Sequence, residues 1–143
     1  MLEGDANLFL TSGIMADRGY PTWDVGVMMN EFAEKHPDYV EKFVRAECKG
    51  IDFWLENPAE IIAKELNLEL RDAARMMKGS GMVPCDEQLT ERYIGNSNKR
   101  GQFVDDILST AEFLHEQKRL PSVLPRETFE AFLVPTYLET IVK

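Results

Sequence analysis

The feature that most constrains the fold is a helical spacing of apolar residues, which begins near Asn30 and continues almost to the C-terminus. Prolines divide this pattern, because proline is favoured in the first turn of a helix and disfavoured inside one. His36-Pro37 and Asn57-Pro58 mark two divisions, and Pro135 interrupts the last helix. One long stretch of this pattern runs from about Lys99 to Lys118. The sequence therefore predicts a mainly helical chain with about six helices.

The first 30 residues differ from the rest and predict two short strands. Asn7–Ser12 is a short apolar and β-branched run, and Trp23–Met29 is dense in valine and methionine. A continuously apolar strand is typical of a sheet that helices cover on both faces. Two strands alone cannot form such a sheet. We therefore expect an α+β fold that is incomplete or that a second copy of the chain completes.

Charge and hydropathy exclude some classes of partner. The formal net charge is −9, from 25 acidic and 16 basic side chains. Nucleic acid is therefore not expected as a partner, because phosphate binding needs a concentrated positive surface. No apolar run approaches the roughly 20 residues of a membrane-spanning helix. The N-terminal sequence lacks the basic start and long apolar stretch of a secretory signal. If Met1 is the native start, we therefore expect a cytoplasmic protein.

The residues that usually carry catalysis have simpler interpretations here. His36 lies at a predicted helix junction, and His115 lies on the exposed side of a predicted helix without the second histidine of a zinc-protease motif. A phosphate-binding loop and a nucleophile elbow are missing. Two cysteines, Cys48 and Cys85, indicate neither a disulfide framework nor a metal cluster. Cys48 is interpreted as a small buried apolar residue. We therefore expect no enzyme, no metal and no cofactor.

One polar group stands out, at Thr22, Trp23 and Asp24, between a proline turn and the second predicted strand. A carboxylate at the start of an apolar strand needs a partner, because a buried unpaired charge is costly. The neighbouring indole offers a flat face and one donor, which suit a small cationic or amphoteric molecule. The alternative is that Asp24 caps a turn while Trp23 packs in the core. Composition and spacing leave both interpretations open, and under the first these three residues are the candidate ligand site.

Six segments carry a recognisable order and spacing along nearly the whole chain: Thr11-Ser12, Gly19–Val25, Phe32–Val40, Asn57-Pro58, Tyr93-Ile94-Gly95 and Thr110–Gln117. In this order they resemble the taurine and aliphatic sulfonate-binding family of periplasmic proteins. An individual piece such as Phe-Ala-x-Lys-His-Pro is moderately specific for that family, whereas the ordered series of segments is a strong indication.

The resemblance implies the C-terminal portion of a type II periplasmic-binding-protein fold, in which two α/β lobes close on a ligand. Residues 1–18 would be a remnant of the second lobe, residues 19–30 a crossover linker and strand, and residues 31–143 a helical part that packs on the first lobe. Asp24 matches an acidic position that faces the substrate amine in taurine-binding members. The implied function is non-catalytic binding of a taurine-like solute for an ABC permease, in the periplasm.

The chain departs from the family pattern in two respects. Gly26 stands where many relatives carry a large aromatic residue, so we expect a different cleft wall here. A full member is also much longer than this chain, which leads to a second hypothesis. A truncated chain would expose unpaired strand edges and apolar patches, which favour pairing with another copy. The alternative is therefore a stand-alone helical protein that forms a homodimer and has lost solute binding.

Overall fold

The computed structural model describes residues 9–77 and 81–142, and the described residues are mainly helical, as predicted. The prediction of about six helices is too low. Two of the additional helices arise because the last predicted helix divides at Pro135 and because a short helix begins at Ser12. The described ranges contain nine helices: α1 (Ser12–Asp17), α2 (Asn30–Lys35), α3 (Pro37–Glu56), α4 (Pro58–Leu66), α5 (Leu70–Met77), α6 (Cys85–Gln88), α7 (Phe103–Glu116), α8 (Arg126–Phe132) and α9 (Thr136–Ile141).

The prediction of two short strands is wrong for the described residues. Asn7 and Leu8 lie outside them, and the rest of the first predicted strand runs into α1, where the Thr11 hydroxyl accepts a hydrogen bond from the Ile14 N–H at 3.1 Å. Trp23–Met29 forms neither strand nor helix. Apolar, β-branched composition favours a strand only where a neighbouring strand pairs with it. Within the described ranges, β pairing is limited to one isolated antiparallel bridge between Gly95 and Arg100.

The junction at His36-Pro37 forms as predicted, since α2 ends at Lys35 and α3 begins at Pro37. Ion pairs with an acidic residue four positions before a basic one support both helices. All three pairs are exposed, so each contributes only a few tenths of a kcal/mol. The pairs are Glu31–Lys35 at 2.6 Å, Asp38–Lys42 at 3.2 Å and Glu41–Arg45 at 2.8 Å.

The chain divides into two compact units, and the first draws its described residues from Met1–Val27 and Glu47–Val83. In this unit α4 packs against α5. Asn67 ends α4 in the left-handed conformation, with φ of 51°, and the Leu68 N–H then donates to the Ala63 carbonyl at 2.9 Å. This left-handed ending is a common helix C-terminus, in which asparagine replaces the usual glycine. Ala73 on α5 is fully buried.

The second unit draws its described residues from Met28–Ala46 and Pro84–Lys143. Its core cluster consists of Val104, Ala111 and Phe129, which join α7 to α8. Five partly buried apolar residues pack against this cluster: Ile107, Leu108, Leu120, Val123 and Leu133. At the rim, Arg126 pairs with Asp105 of α7 and, at 2.9 Å, with Glu130 of α8. Hydrogen bonds to these two carboxylates raise the pKa of the Arg126 guanidinium.

Before α7 the chain makes a tight turn, which the Gly95–Arg100 bridge closes. The Asn96 side chain accepts hydrogen bonds from the backbone N–H groups of Asn98 and Lys99, at 2.9 and 3.1 Å. Asparagine is favoured in such turns because its side chain substitutes for a backbone acceptor. The turn thereby presents Ser97 towards α9.

Buried apolar side chains are few relative to exposed ones in the described part of the chain. Nine apolar residues are buried, whereas 23 large apolar side chains are exposed, among them Phe9, Val27 and Met29. Isolated exposed apolar residues are ordinary, but so large an excess is typical of surfaces that bind another protein. The described helices include none long and apolar enough to span a membrane.

Candidate functional site

The three predicted site residues lie on the segment that connects α1 to α2, just after a glycine turn. Gly19 has φ of 88°, a conformation that suits glycine because a Cβ would be strained there. Its N–H donates to the Ala16 carbonyl at 2.9 Å, and the Tyr20 N–H donates to the Met15 carbonyl at 2.9 Å. These bonds end α1 and direct the chain through Pro21 towards Thr22.

Thr22 lines a shallow concavity of about 330 Å³ in the first unit. The other lining residues combine neutral polar groups with apolar ones: Leu10, Thr11, Ser12, Met15 and Tyr20. The Thr11 hydroxyl already accepts the hydrogen bond from the Ile14 N–H. None of the lining residues that the structure describes is charged, so their hydroxyl groups suit hydrogen bonding to a small polar solute. Thr11-Ser12 and Gly19–Val25, two of the resembling segments, both contribute to this wall.

Trp23 and Asp24 do not line the concavity beside Thr22. Trp23 is half-buried and Asp24 is exposed. Within the described ranges, Asp24 forms no hydrogen bond or ion pair, so its carboxylate is accessible to a ligand. The structure therefore places Thr22 with Ser12 and Tyr20 around one concavity, and Asp24 is not among its lining residues.

A second concavity, of about 380 Å³, lies in the second unit. Its lining residues are Leu89, Ser97, Asn98, Glu139 and Val142. The Glu139 carboxylate accepts hydrogen bonds from the Ser97 N–H at 2.6 Å and from the Ser97 hydroxyl at 2.6 Å. These bonds join the turn before α7 to α9 across 42 residues of sequence. Sequence reasoning missed this pair, because no periodicity or motif relates the two positions.

The two histidines make local contacts, which fit the interpretations drawn from the sequence. The His36 ring lies 4.9 Å from the Phe32 ring and 5.8 Å from the Tyr39 ring, measured between centroids. The His115 Nδ1 lies 3.0 Å from the Leu120 carbonyl oxygen, to which it donates. Among the residues that the structure describes, no group of three or more His, Cys, Asp or Glu side chains is arranged to hold a metal ion.

The cysteines differ from their interpretation in one respect. Both are buried, as expected for Cys48, with 7% and 8% of the surface of Cys48 and Cys85 exposed. Neither is a free thiol, because both are disulfide-bonded. This bonding could not be expected from the sequence, since two cysteines without a recognisable spacing predict no disulfide.

We expect thiol labelling to report this state directly. Iodoacetamide added to the urea-denatured, unreduced protein should attach to neither Cys48 nor Cys85, and prior reduction should allow two additions per chain. Intact-protein mass spectrometry measures both samples. Two additions without reduction would contradict the disulfide-bonded state.

Comparisons with known proteins complete this description. No protein-family model matches the chain, and no solved structure matches it. The chain is 31% identical over 131 residues to a periplasmic solute-binding protein, the taurine-binding periplasmic protein of Escherichia coli (strain K12). This match covers 85% of the chain and 39% of the relative, so the chain spans well under half of that protein's length. The chain belongs to the taurine-binding periplasmic protein family, to whose C-terminal region it corresponds.

Proposed function

We propose that the chain is a solute-binding component of an ABC importer, or the C-terminal part of one, and that its ligand is a taurine-like sulfonate or a small amine. The observation that carries this proposal is the 31% identity to a taurine-binding periplasmic protein over 85% of the chain. Such a component binds its ligand without transforming it. The proposed role is therefore non-catalytic.

The proposed fold is the C-terminal portion of a type II periplasmic-binding-protein fold. In this proposal residues 1–18 belong to the second lobe, residues 19–30 cross between the lobes, and residues 31–143 pack on the first lobe. The helical majority of the described residues supports the assignment of the third segment. The many exposed apolar side chains support packing of this segment against a further part of a larger protein.

The proposed ligand site consists of Thr22, Trp23 and Asp24. The Asp24 carboxylate holds the ligand's ammonium group, because charge-assisted hydrogen bonds are about twice as strong as neutral ones. The Thr22 hydroxyl and the Trp23 indole shape the wall beside it. Two observations support these roles: Asp24 is exposed without a partner in the described ranges, and Thr22 lines a concavity that is rich in hydroxyl groups.

The proposed location is the periplasm, where the relative is found. The disulfide-bonded state of Cys48 and Cys85 supports this location. Disulfides persist in oxidising compartments such as the bacterial periplasm and are rare in the cytosol, where thiols are kept reduced.

Isothermal titration of the chain with taurine tests this function, and the Asp24→Asn variant tests the site. We expect saturable heat with the parent chain. We expect Asp24→Asn to weaken binding about 10- to 100-fold, because a hydrogen bond to a charged group contributes about 1.5–3 kcal/mol. The matched control is Asp52→Asn, which removes another exposed carboxylate of the same unit.

The control separates a local contact from a general effect of charge. Asp52→Asn should bind taurine as the parent does. Equal weakening in both variants would contradict the role of Asp24 and leave the function standing. No heat with taurine, alkanesulfonates or small amines, in a sample whose circular dichroism shows folded helices, would contradict solute binding by this chain.

A further inference from the structure

The short helix α6 depends on Cys85 more than a helix of ordinary length would depend on one residue. Of its four residues, all within the described ranges, Cys85 alone is buried. Asp86 and Glu87 are exposed to solvent. A helix of one turn is not stable by itself, because only a longer series of hydrogen bonds offsets the cost of nucleation. Anchoring of α6 therefore falls largely on Cys85.

Cys85 is restrained by a covalent bond as well as by packing. It is disulfide-bonded, as is Cys48 inside the 20-residue helix α3. A cysteine side chain is small, so its burial contributes less than that of a leucine or phenylalanine would. The covalent bond is therefore the stronger of the two restraints on α6.

The backbone that follows α6 folds back onto it. The Ile94 N–H donates to the Gln88 carbonyl at 3.1 Å, and the Gly95 N–H donates to the Thr90 carbonyl at 3.1 Å. Residues 85–95 thus form one hydrogen-bonded segment. Because these bonds need α6 in place, release of α6 is expected to open the whole segment.

The later turns of α7 are held by a separate set of contacts. Val104 is fully buried and packs with Ala111 and Phe129 in the core cluster. The Phe103 N–H donates to the Tyr93 carbonyl at 3.1 Å, so the first turn of α7 shares a hydrogen bond with the segment. Opening of the segment should therefore loosen the start of α7 and leave its later turns folded on α8.

We propose that residues 85–95 form a redox-sensitive switch, which is folded while Cys85 is disulfide-bonded and opens when Cys85 becomes a free thiol. In the opening step the disulfide takes up two electrons and two protons and becomes two thiols, while a dithiol reductant is oxidised to a disulfide. In the closing step the thiols transfer two electrons and two protons to a disulfide oxidant. The segment is therefore complete only in an oxidising environment. This inference goes beyond the proposed function and does not depend on the ligand.

Hydrogen–deuterium exchange mass spectrometry of the full chain tests the switch. The reduced sample is prepared with dithiothreitol in urea, and the urea is then removed while dithiothreitol is kept. We expect amides of residues 86–95 to exchange about 10-fold faster or more in the reduced chain than in the oxidised chain. Amides of residues 108–116, in the later turns of α7, should exchange at the same rate in both. Unchanged exchange at residues 86–95 would overturn the proposal, as would equal acceleration in both regions.

A chain without cysteines, which carries Cys48→Ala and Cys85→Ala, is the matched control. Its residues 86–95 should exchange as fast as in the reduced parent, and dithiothreitol should not change their rate. Acceleration by dithiothreitol in this chain would overturn the proposal, because the effect would then not depend on sulfur.

Reoxidation shows whether the switch closes again. Oxidised glutathione added to the reduced parent should restore slow exchange at residues 86–95. Fast exchange in a sample that iodoacetamide no longer labels would overturn the proposal. All these measurements are made without taurine. A chain that responds in this way but does not bind taurine would therefore contradict the proposed function and support the switch.

Discussion

Phe129→Ala is expected to lower the free energy of unfolding of the second unit by about 3–5 kcal/mol. The Phe129 side chain is only 7% exposed and packs with Val104 and Ala111, so its removal leaves a cavity between α7 and α8. The loss is a large fraction of the 5–15 kcal/mol that is typical of a folded domain. Urea denaturation followed by circular dichroism measures it as a lower midpoint with an unchanged slope.

Phe132→Ala on the same helix is the control for this prediction. The Phe132 ring is 63% exposed and lies 6.2 Å from the Phe129 ring, edge to face. Its removal deletes an aromatic pair that contributes about 0.5–1.5 kcal/mol to stability, and it leaves no cavity. We expect a loss of about 1 kcal/mol. Equal losses for the two variants would contradict the assignment of Phe129 to the core.

The helices could be predicted because their signals are local. His36-Pro37 and Asn57-Pro58 set the starts of α3 and α4, since proline fits the first turn of a helix and not its interior. The apolar spacing after Lys99 likewise predicted α7. Each of these signals lies within the helix it specifies or beside it.

The strands and the Ser97–Glu139 contact could not be predicted in the same way. A strand forms only where another strand pairs with it, so the composition of Trp23–Met29 alone could not decide its structure. The hydrogen bonds between Ser97 and Glu139 depend on how a turn and α9 approach each other. That approach follows from packing between residues distant in sequence.

Only part of the candidate site could be predicted from the sequence. The order of the segments around Gly19–Val25 predicted the family, and the 31% identity to a member confirms that prediction. The roles of Thr22, Trp23 and Asp24 remain predictions. A cleft requires two walls, and the positions of these side chains relative to a second wall depend on residues beyond this chain's match to its relative.

Tyr93-Ile94-Gly95, one of the resembling segments, has a structural reason to be a motif. Gly95 has φ of 75°, and a Cβ there would lie 2.3 Å from the Lys99 carbonyl oxygen. Gly101 across the turn is equally confined, because its Cβ would lie 2.0 Å from the Tyr93 carbonyl oxygen. The motif therefore specifies a turn that only glycine permits, and it need not contact a ligand.

Gly101→Ala is accordingly expected to lower the free energy of unfolding of the second unit by about 3 kcal/mol, the upper end of the usual cost of overpacking. The clashing Tyr93 carbonyl accepts a hydrogen bond from the Phe103 N–H at 3.1 Å, at the start of α7, so it cannot move without loosening that helix. Urea denaturation measures the loss.

The control for Gly101→Ala is Gly50→Ala in the middle of α3, where an added Cβ meets no atom within 4 Å. Alanine in a helix interior is more stable than glycine by about 0.5–1 kcal/mol, so this variant should gain stability. The same chemical change thus has opposite signs at the two positions, because one Cβ enters a closed turn and the other enters open space. A stabilised Gly101→Ala variant would show that the turn before α7 is wider than the structure indicates.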